Sequence, residues 1–256
     1  MHHLRKTENL LSKQVSKQRI TQSEADATRA RLVPTTSTDS LSGVDFVIEA
    51  VPEIPQLKFD IFAQLAEVCA PHAVLATNTS SISITKIAAA AAGKLKKDGG
   101  GAGDVASSRV VATHFMNPVP VQKGVEIISG LQTSAETLST AVEFCRAMGK
   151  TTSVSADAPG FLANRILMPY INEAIICLET GVSDRDSIDA IMKNGTNVPM
   201  GPLQLADFIG LDTCLAIMRV IHTETGDSKY RPSVLLAKMV DAGWLGKKSG
   251  KGFYDY

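Results

Sequence analysis

Two residues of complementary chemistry stand either side of a turn. His114 follows the apolar run Val110-Val111-Ala112, and Glu126 lies between Val125 and Ile127 on the next extended segment. Pro118 and Pro120 force the chain to turn between them. An imidazole takes a proton well near neutrality, and a buried carboxylate can orient it and stabilise the imidazolium. Three further polar residues fall in short, distinctive stretches: Ser80 in Asn78-Thr79-Ser80-Ser81, Asn117 in His114-Phe115-Met116-Asn117-Pro118-Val119-Pro120, and Asn164 in Pro159-Gly160-Phe161-Leu162-Ala163-Asn164-Arg165. Taken singly, each has a plainer reading. His114 serves equally well as a satisfied strand-end histidine, Asn78 and Ser80 as caps of the next helix, and Asn164 as a satisfied helix side chain.

Positioning these groups needs strands that end near one another. The β-rich run Val44–Val51 suits a buried parallel strand, as do Ala73–Thr77 and the segment ending at His114. A further strand is expected at Thr151–Val154, and a short one at Leu32–Thr36. Helices are expected at Met1–Ile20, from the capping box Thr21-Gln22-Ser23-Glu24 to about Arg31, over Gln56–Cys69, from near Ser83, and over Ser134–Met148. Strand–helix alternation of this kind argues for a parallel α/β sheet. After Ala156-Asp157-Ala158-Pro159-Gly160 the pattern becomes helical throughout, with helices expected at Ile166–Thr180, Asp184–Lys193, Leu203–Thr223 and Pro232–Ala242. The domains are therefore read as 1–156 and 157–256.

Asn78-Thr79-Ser80-Ser81, His114–Pro120, Val125-Glu126 and Pro159–Arg165, in this order, resemble the motifs of the 3-hydroxyacyl-CoA dehydrogenases, and the resemblance covers nearly the whole chain. It implies NAD-dependent oxidation of the 3-hydroxyl of an acyl-CoA thioester, as in fatty acid β-oxidation or butanoate metabolism, with His114 as base and Glu126 as its partner. It places Ser80 and Asn164 near the substrate oxygen and leaves Asn117 to hold the His114 loop or the substrate. A second motif, Glu49-Ala50-Val51-x-Glu53 followed by Lys58, implies a cofactor side made of Ala50, Glu53, Lys58, Asn78 and Ser80. The family resemblance also implies a homodimer through the helical domain. Related hydroxyacid and phosphogluconate dehydrogenases use a catalytic lysine, and the His114/Glu126 pair argues against them.

The resemblance implies a Gly-x-Gly-x-x-Gly turn between two strands, holding the pyrophosphate of NAD. No such turn occurs in the sequence. The expectation is an incomplete Rossmann-type sheet, broken in its middle, with the adenosine- and pyrophosphate-binding part missing. The alternative function that follows is an inactive homologue that binds acyl-CoA or dimerises. Gly93–Gly103 is glycine-rich but lacks phosphate-loop spacing and reads as a surface loop, and Gly246–Gly252 likewise fails the Walker spacing and reads as a basic surface turn with an aromatic plug.

Composition excludes several classes. With 26 basic and 26 acidic residues in 256, the formal net charge is zero, which argues against nucleic acid or an anionic membrane as partner. No apolar run approaches the roughly 20 residues that span a bilayer. Cys69, Cys145, Cys177 and Cys214 are scattered without metal-ligand spacing and read as free thiols in a reducing compartment, mitochondrial matrix or cytoplasm. The basic amphipathic start reads as an ordinary domain helix rather than a mitochondrial address.

Overall fold

The structure is a computed structural model that describes residues 2–93, 95 and 101–256. Two compact units are present, Met1–Gly43 and Val44–Tyr256.

The first unit contains α1 (His2–Ser16) and α2 (Gln22–Ala30). The capping box forms as the sequence indicates: Thr21 Oγ1 accepts from the Glu24 N–H at 3.2 Å, and the Glu24 carboxylate accepts from the Thr21 N–H at 2.7 Å. Leu32–Thr36, expected as a strand, is irregular and pairs with no described strand. Pro34 has no N–H to give a ladder and Val33 is exposed, so this short apolar run lacks the burial that would make it a strand.

The second unit begins with the sheet. Its strands are β1 (Phe46–Glu49), β2 (Val74–Thr77), β3 (Val110–Phe115), β4 (Gly124–Ser129) and β5 (Thr151–Ala156). They form one continuous sheet in the order β1-β2-β3-β4-β5. The expected break is absent from the described strands. Pairing is parallel for β1–β2, β2–β3 and β4–β5, but antiparallel for β3–β4. The reversal follows from the proline-rich turn, which is too short for the crossover that a parallel pair requires.

Helices α3 (Pro55–Val68), α4 (Ile84–Ala92), α5 (Ala102–Ser108) and α6 (Ala135–Ala147) accompany the strands. Of the expected Gly-rich surface loop, Gly93 and Leu95 are described, residues 94 and 96–100 lie outside the described residues, and Ala102 onward is helical. Ala106 and Ser107 are buried, so tertiary burial overrides the weak helix preference of Gly103, Ser107 and Ser108. On one sheet face, Val111, Val125 and Ile127 pack with Ala141 and Cys145 of α6. Side chains alternate along a strand, so His114, Glu126 and Ile128 take the opposite face.

The remainder is helical: α7 (Ala163–Glu179), α8 (Arg185–Gly195), α9 (Pro202–Ile209), α10 (Leu211–Thr225) and α11 (Val234–Asp241). The single helix expected over Leu203–Thr223 is two helices, because Gly210 adopts φ 104°, outside the helical region. Met168, Ile171, Ile175, Leu203, Met218 and Ile221 are at the centre of this core. Among the described residues, no helix is long and apolar enough to cross a membrane.

Candidate active site

The antiparallel register sets His114 directly opposite Glu126 on β4. Directly opposed side chains on one face are close enough to interact. His114 Nδ1 lies 3.3 Å from Glu126 Oε2, and both residues are buried. A carboxylate only accepts, so this contact assigns the Nδ1 proton to His114 and leaves Nε2 as the acceptor in the neutral ring. Nε2 is 3.1 Å from Ser80 Oγ. The edge of the Phe161 ring closes the side of the imidazole, at 6.0 Å between centroids.

Glu126 is braced on its second oxygen. Oε1 accepts from Ser155 Oγ at 3.0 Å and from the N–H groups of Leu162 and Ala163 at 2.5 and 3.4 Å. Burial alone pushes this carboxyl up, but the hydrogen bonds from His114, Leu162 and Ser155 outweigh it and hold the group below the usual carboxylate range. Leu162, at the N-cap of α7, offers no side-chain cap of its own. Glu126 supplies it from another element, satisfying orphan N–H groups at the positive end of the helix.

The Ser80 loop is held in the same manner. Glu53 Oε1 accepts from Thr79 Oγ1, from the N–H groups of Ser80 and Ser81, and from Ser81 Oγ, at 2.5–3.1 Å. Burial would raise the Glu53 carboxyl, yet these donors and the Lys58 charge keep it below its ordinary range. Asn164 Nδ2 donates to Ser80 O at 3.3 Å. Asn78 Oδ1 accepts from the Phe115 N–H at 2.9 Å, pinning the strand beside His114. Asn78 and Ser80 are therefore not the caps of α4; that role falls to Ser83.

Three of the sequence-derived residues, Lys58, Ala50 and Asn117, stand outside the hydrogen-bonded chain Ser80–His114–Glu126. Lys58, expected on the cofactor side, is fully buried and bound to Glu49 at 2.7 and 3.0 Å, with Val51 O at 3.3 Å and Glu53 at 3.4 Å. Glu49 also accepts from Thr77 Oγ1 and the Val51 N–H. Here Lys58 braces the ends of β1 and β2 from beneath, because an ammonium without this pairing would not be buried. Ala50 is exposed just beyond β1. Asn117 is exposed, and its side chain has no hydrogen-bond partner among the described residues. Sequence reasoning missed Ser155, the two α7 amides and Asp157, whose Oδ2 accepts from Ser83 Oγ and the Thr85 N–H. One signal was available: a helix starting at Leu162 without Ser, Thr, Asp or Asn needs its cap from elsewhere.

Ser80 and Phe161 face an open cleft of about 900 Å³. Val51, Phe59 and Ile82 form one wall, and Ala216, Ile217 and Val220 of α10 the other. Such a volume suits a small-molecule ligand, and the carboxyl ends of parallel strands are where open α/β sheets bind ligands. Among the described residues, no group of three His, Cys, Asp or Glu is arranged to hold a metal ion.

An α/β sheet with a histidine–carboxylate pair beside a cleft at its strand ends defines a class of ligand-binding proteins equipped for proton transfer. Comparison with known proteins narrows it. The family model for the NAD binding domain of 3-hydroxyacyl-CoA dehydrogenase matches residues 2–158, and that for the C-terminal domain matches residues 160–256. A probable 3-hydroxybutyryl-CoA dehydrogenase of Bacillus subtilis is 47% identical over 253 residues, covering 99% of this chain and 84% of the relative. The mitochondrial hydroxyacyl-coenzyme A dehydrogenase of Homo sapiens is 40% identical, covering 86% and 68%. The crystal structure of (S)-3-hydroxybutyryl-CoA dehydrogenase from Ralstonia eutropha superposes with a TM-score of 0.89 at 42% identity, over 97% of this chain and 83% of that one. The chain belongs to the 3-hydroxyacyl-CoA dehydrogenase family. The match of the NAD-binding model across residues 2–158 does not support the expectation that the cofactor-binding part is missing.

Proposed function

We propose that the protein oxidises the 3-hydroxyl of a short 3-hydroxyacyl-CoA to the ketone with NAD, using His114 as the general base. The observation that carries this reading is the aligned chain Ser80 Oγ···Nε2 His114 Nδ1···Glu126, with its open end at the cleft. Nε2 of neutral His114 accepts the hydroxyl proton, and Glu126 stabilises the resulting imidazolium. In the reverse direction the imidazolium returns that proton to the alkoxide. Ser80 Oγ, already at hydrogen-bond distance from Nε2, orients the substrate oxygen, and Asn164 steadies the Ser80 loop through its carbonyl.

The residues at the strand ends fit a nicotinamide. The Asn78 Nδ2 amide has no partner among the described residues, and Ser80 Oγ faces the cleft beside the apolar wall of Val51 and Phe59. NAD, when bound, supplies the acceptor for the hydride. Glu53 and Lys58 serve it by fixing the Ser80 loop. The acyl-CoA substrate is supported by the names of the relatives, two of which specify 3-hydroxybutyryl-CoA. A two-fold dimer through the helices is supported by exposed Ile166, Ile191 and Phe208, and is checked by sedimentation at micromolar concentration.

The test is direct. Purified protein with NAD and (S)-3-hydroxybutyryl-CoA is expected to form NADH, followed by absorbance. Absence of NADH, together with saturable acyl-CoA binding by calorimetry, would instead support a role in binding acyl-CoA without catalysis.

A further inference from the structure

Four successive residues at the start of the helical region reach the chain of catalytic groups. Phe161 sets its ring edge against His114. Leu162 and Ala163 direct their N–H groups at Glu126 Oε1. Asn164 donates to Ser80 O. The backbone is shaped for this delivery: Gly160 and Phe161 both adopt left-handed conformations, with φ 78° and 49°. Gly160 also packs so tightly that an added Cβ would lie 2.9 Å from Ile221 Cγ1 and 3.2 Å from the Arg165 nitrogen. Only glycine takes that conformation without a steric penalty. Ser155, on β5 diagonally across from Glu126, adds a third donor to the same oxygen.

We propose that Ser155 and the 160–164 turn act together as a positioning clamp on Glu126, with Ser155 as a positioning residue for the reaction. With Oε1 taken by three donors, rotation of the carboxylate is blocked and Oε2 is left facing Nδ1. The charge-assisted bonds keep the group ionised, so it orients His114 and does not compete for the proton that His114 carries. The helical region is thereby part of the proton-transfer apparatus, in addition to forming a wall of the cleft. This inference rests on the reading of His114 as the base, but the state of Glu126 can be measured without turnover.

The experiment compares Ser155→Ala and Ser155→Thr in the full chain. Removing one donor to a charged oxygen is expected to lower kcat roughly tenfold, the lower end for a charge-assisted bond, with KM changed less than about twofold. The Glu126 carboxyl resonance, assigned by its loss in Glu126→Gln and followed by carbon-13 NMR, is expected to titrate at higher pH in Ser155→Ala. Ser155→Thr keeps the hydroxyl and is expected to restore both. Unchanged titration of Glu126 in Ser155→Ala, or failure of threonine to restore it, overturns the clamp. Full turnover in His114→Ala alongside a shifted Glu126 titration would remove the base assignment and leave the clamp standing.

Discussion

Glu126 and Asp207 are both buried carboxylates that receive backbone N–H groups from a distant segment, yet they have opposite fates. Glu126 binds the start of α7 on one oxygen and a histidine on the other. Asp207, on α9, binds the chain terminus: Phe253 N–H on Oδ1, with Tyr254 N–H and Tyr256 OH on Oδ2. Burial raises the Asp207 carboxyl, its three donors do not fully offset that, and nearby Asp189 adds to the rise. Burial pushes Glu126 the same way, but its donors include a ring that can become a cation, and it ends below the usual range. A buried carboxylate that accepts N–H groups from a distant segment is thus a recurring fastening in this fold. Of the two, only Glu126 hands its second oxygen to a histidine, which is what the proposed proton transfer requires. Asp189 makes the point again, accepting from the Leu203 and Gln204 N–H groups at the start of α9 and from Tyr254 OH, with no histidine involved.

The sharpest way to break the comparison is to remove what is unique to one side. His114→Ala is expected to lower turnover by roughly two to four orders of magnitude, the scale of a general base, while the midpoint of urea unfolding moves less than in Asp207→Ala, since a single acceptor, Glu126 Oε2, loses its partner. Turnover close to that of the unaltered protein would sink the base assignment. Asp207→Ala is expected to do the reverse. It strands Phe253 N–H, Tyr254 N–H and Tyr256 OH, at about 1–3 kcal/mol for each buried donor left unpaired. Because the chain end can turn outward to water, a net loss of about 2–4 kcal/mol is expected, with kcat per folded molecule retained. Equal losses of stability in both variants would erase the distinction drawn here.

The smallest effect concerns acid. The Glu126 carboxyl is depressed in the folded protein, so its contribution to stability is complete above its ordinary value of 4.5 and is lost as pH falls through the lower folded value. The Asp207 carboxyl is raised, so the folded state favours its protonated form; stability from this group falls as pH rises from its ordinary 3.8 through the higher folded value. On acidification, the stability advantage of the unaltered protein over Glu126→Gln should shrink, and that over Asp207→Asn should grow. Urea unfolding at several pH values between about 3 and 6 checks the two signs, and slopes of the same sign would contradict the assignment of these two carboxyls.

The pairing of His114 with Glu126 is legible because its requirements are local: a polar residue ending an apolar run, and a carboxylate on the next strand after two prolines; the roles of base and partner come from the family resemblance and not from this pattern. Register then does the rest. The capping box at Thr21 and the start of α8 after Asp184 are legible for the same reason. What is not legible depends on distant partners. Lys58, taken from the pattern alone, reads as a solvated helix-start residue until Glu49 and the Val51 carbonyl are placed beside it. Ser155 is an ordinary strand serine until α7 is docked. Leu32–Thr36 satisfies an apolar pattern without finding a ladder, and Ala102–Ser108 folds as a helix despite a glycine-rich approach, because its alanine and serine are covered by the rest of the unit.

The reversed strand β4 has one more consequence, for chain connectivity. His114 and Glu126 belong to a single hairpin, and hydrogen bonds between β3 and β4 fix their separation. The tip, Asn117–Gln122, is exposed, with Lys150 Nζ holding its Val119 and Gln122 carbonyls. Exposed tips of this kind are where proteins tolerate insertion or new termini. The spacing of His114 and Glu126 is thus set by the ladder and not by the length of the loop that joins them: a change of loop length that keeps the register keeps the pair, whereas a slip of one residue would turn Glu126 to the opposite face.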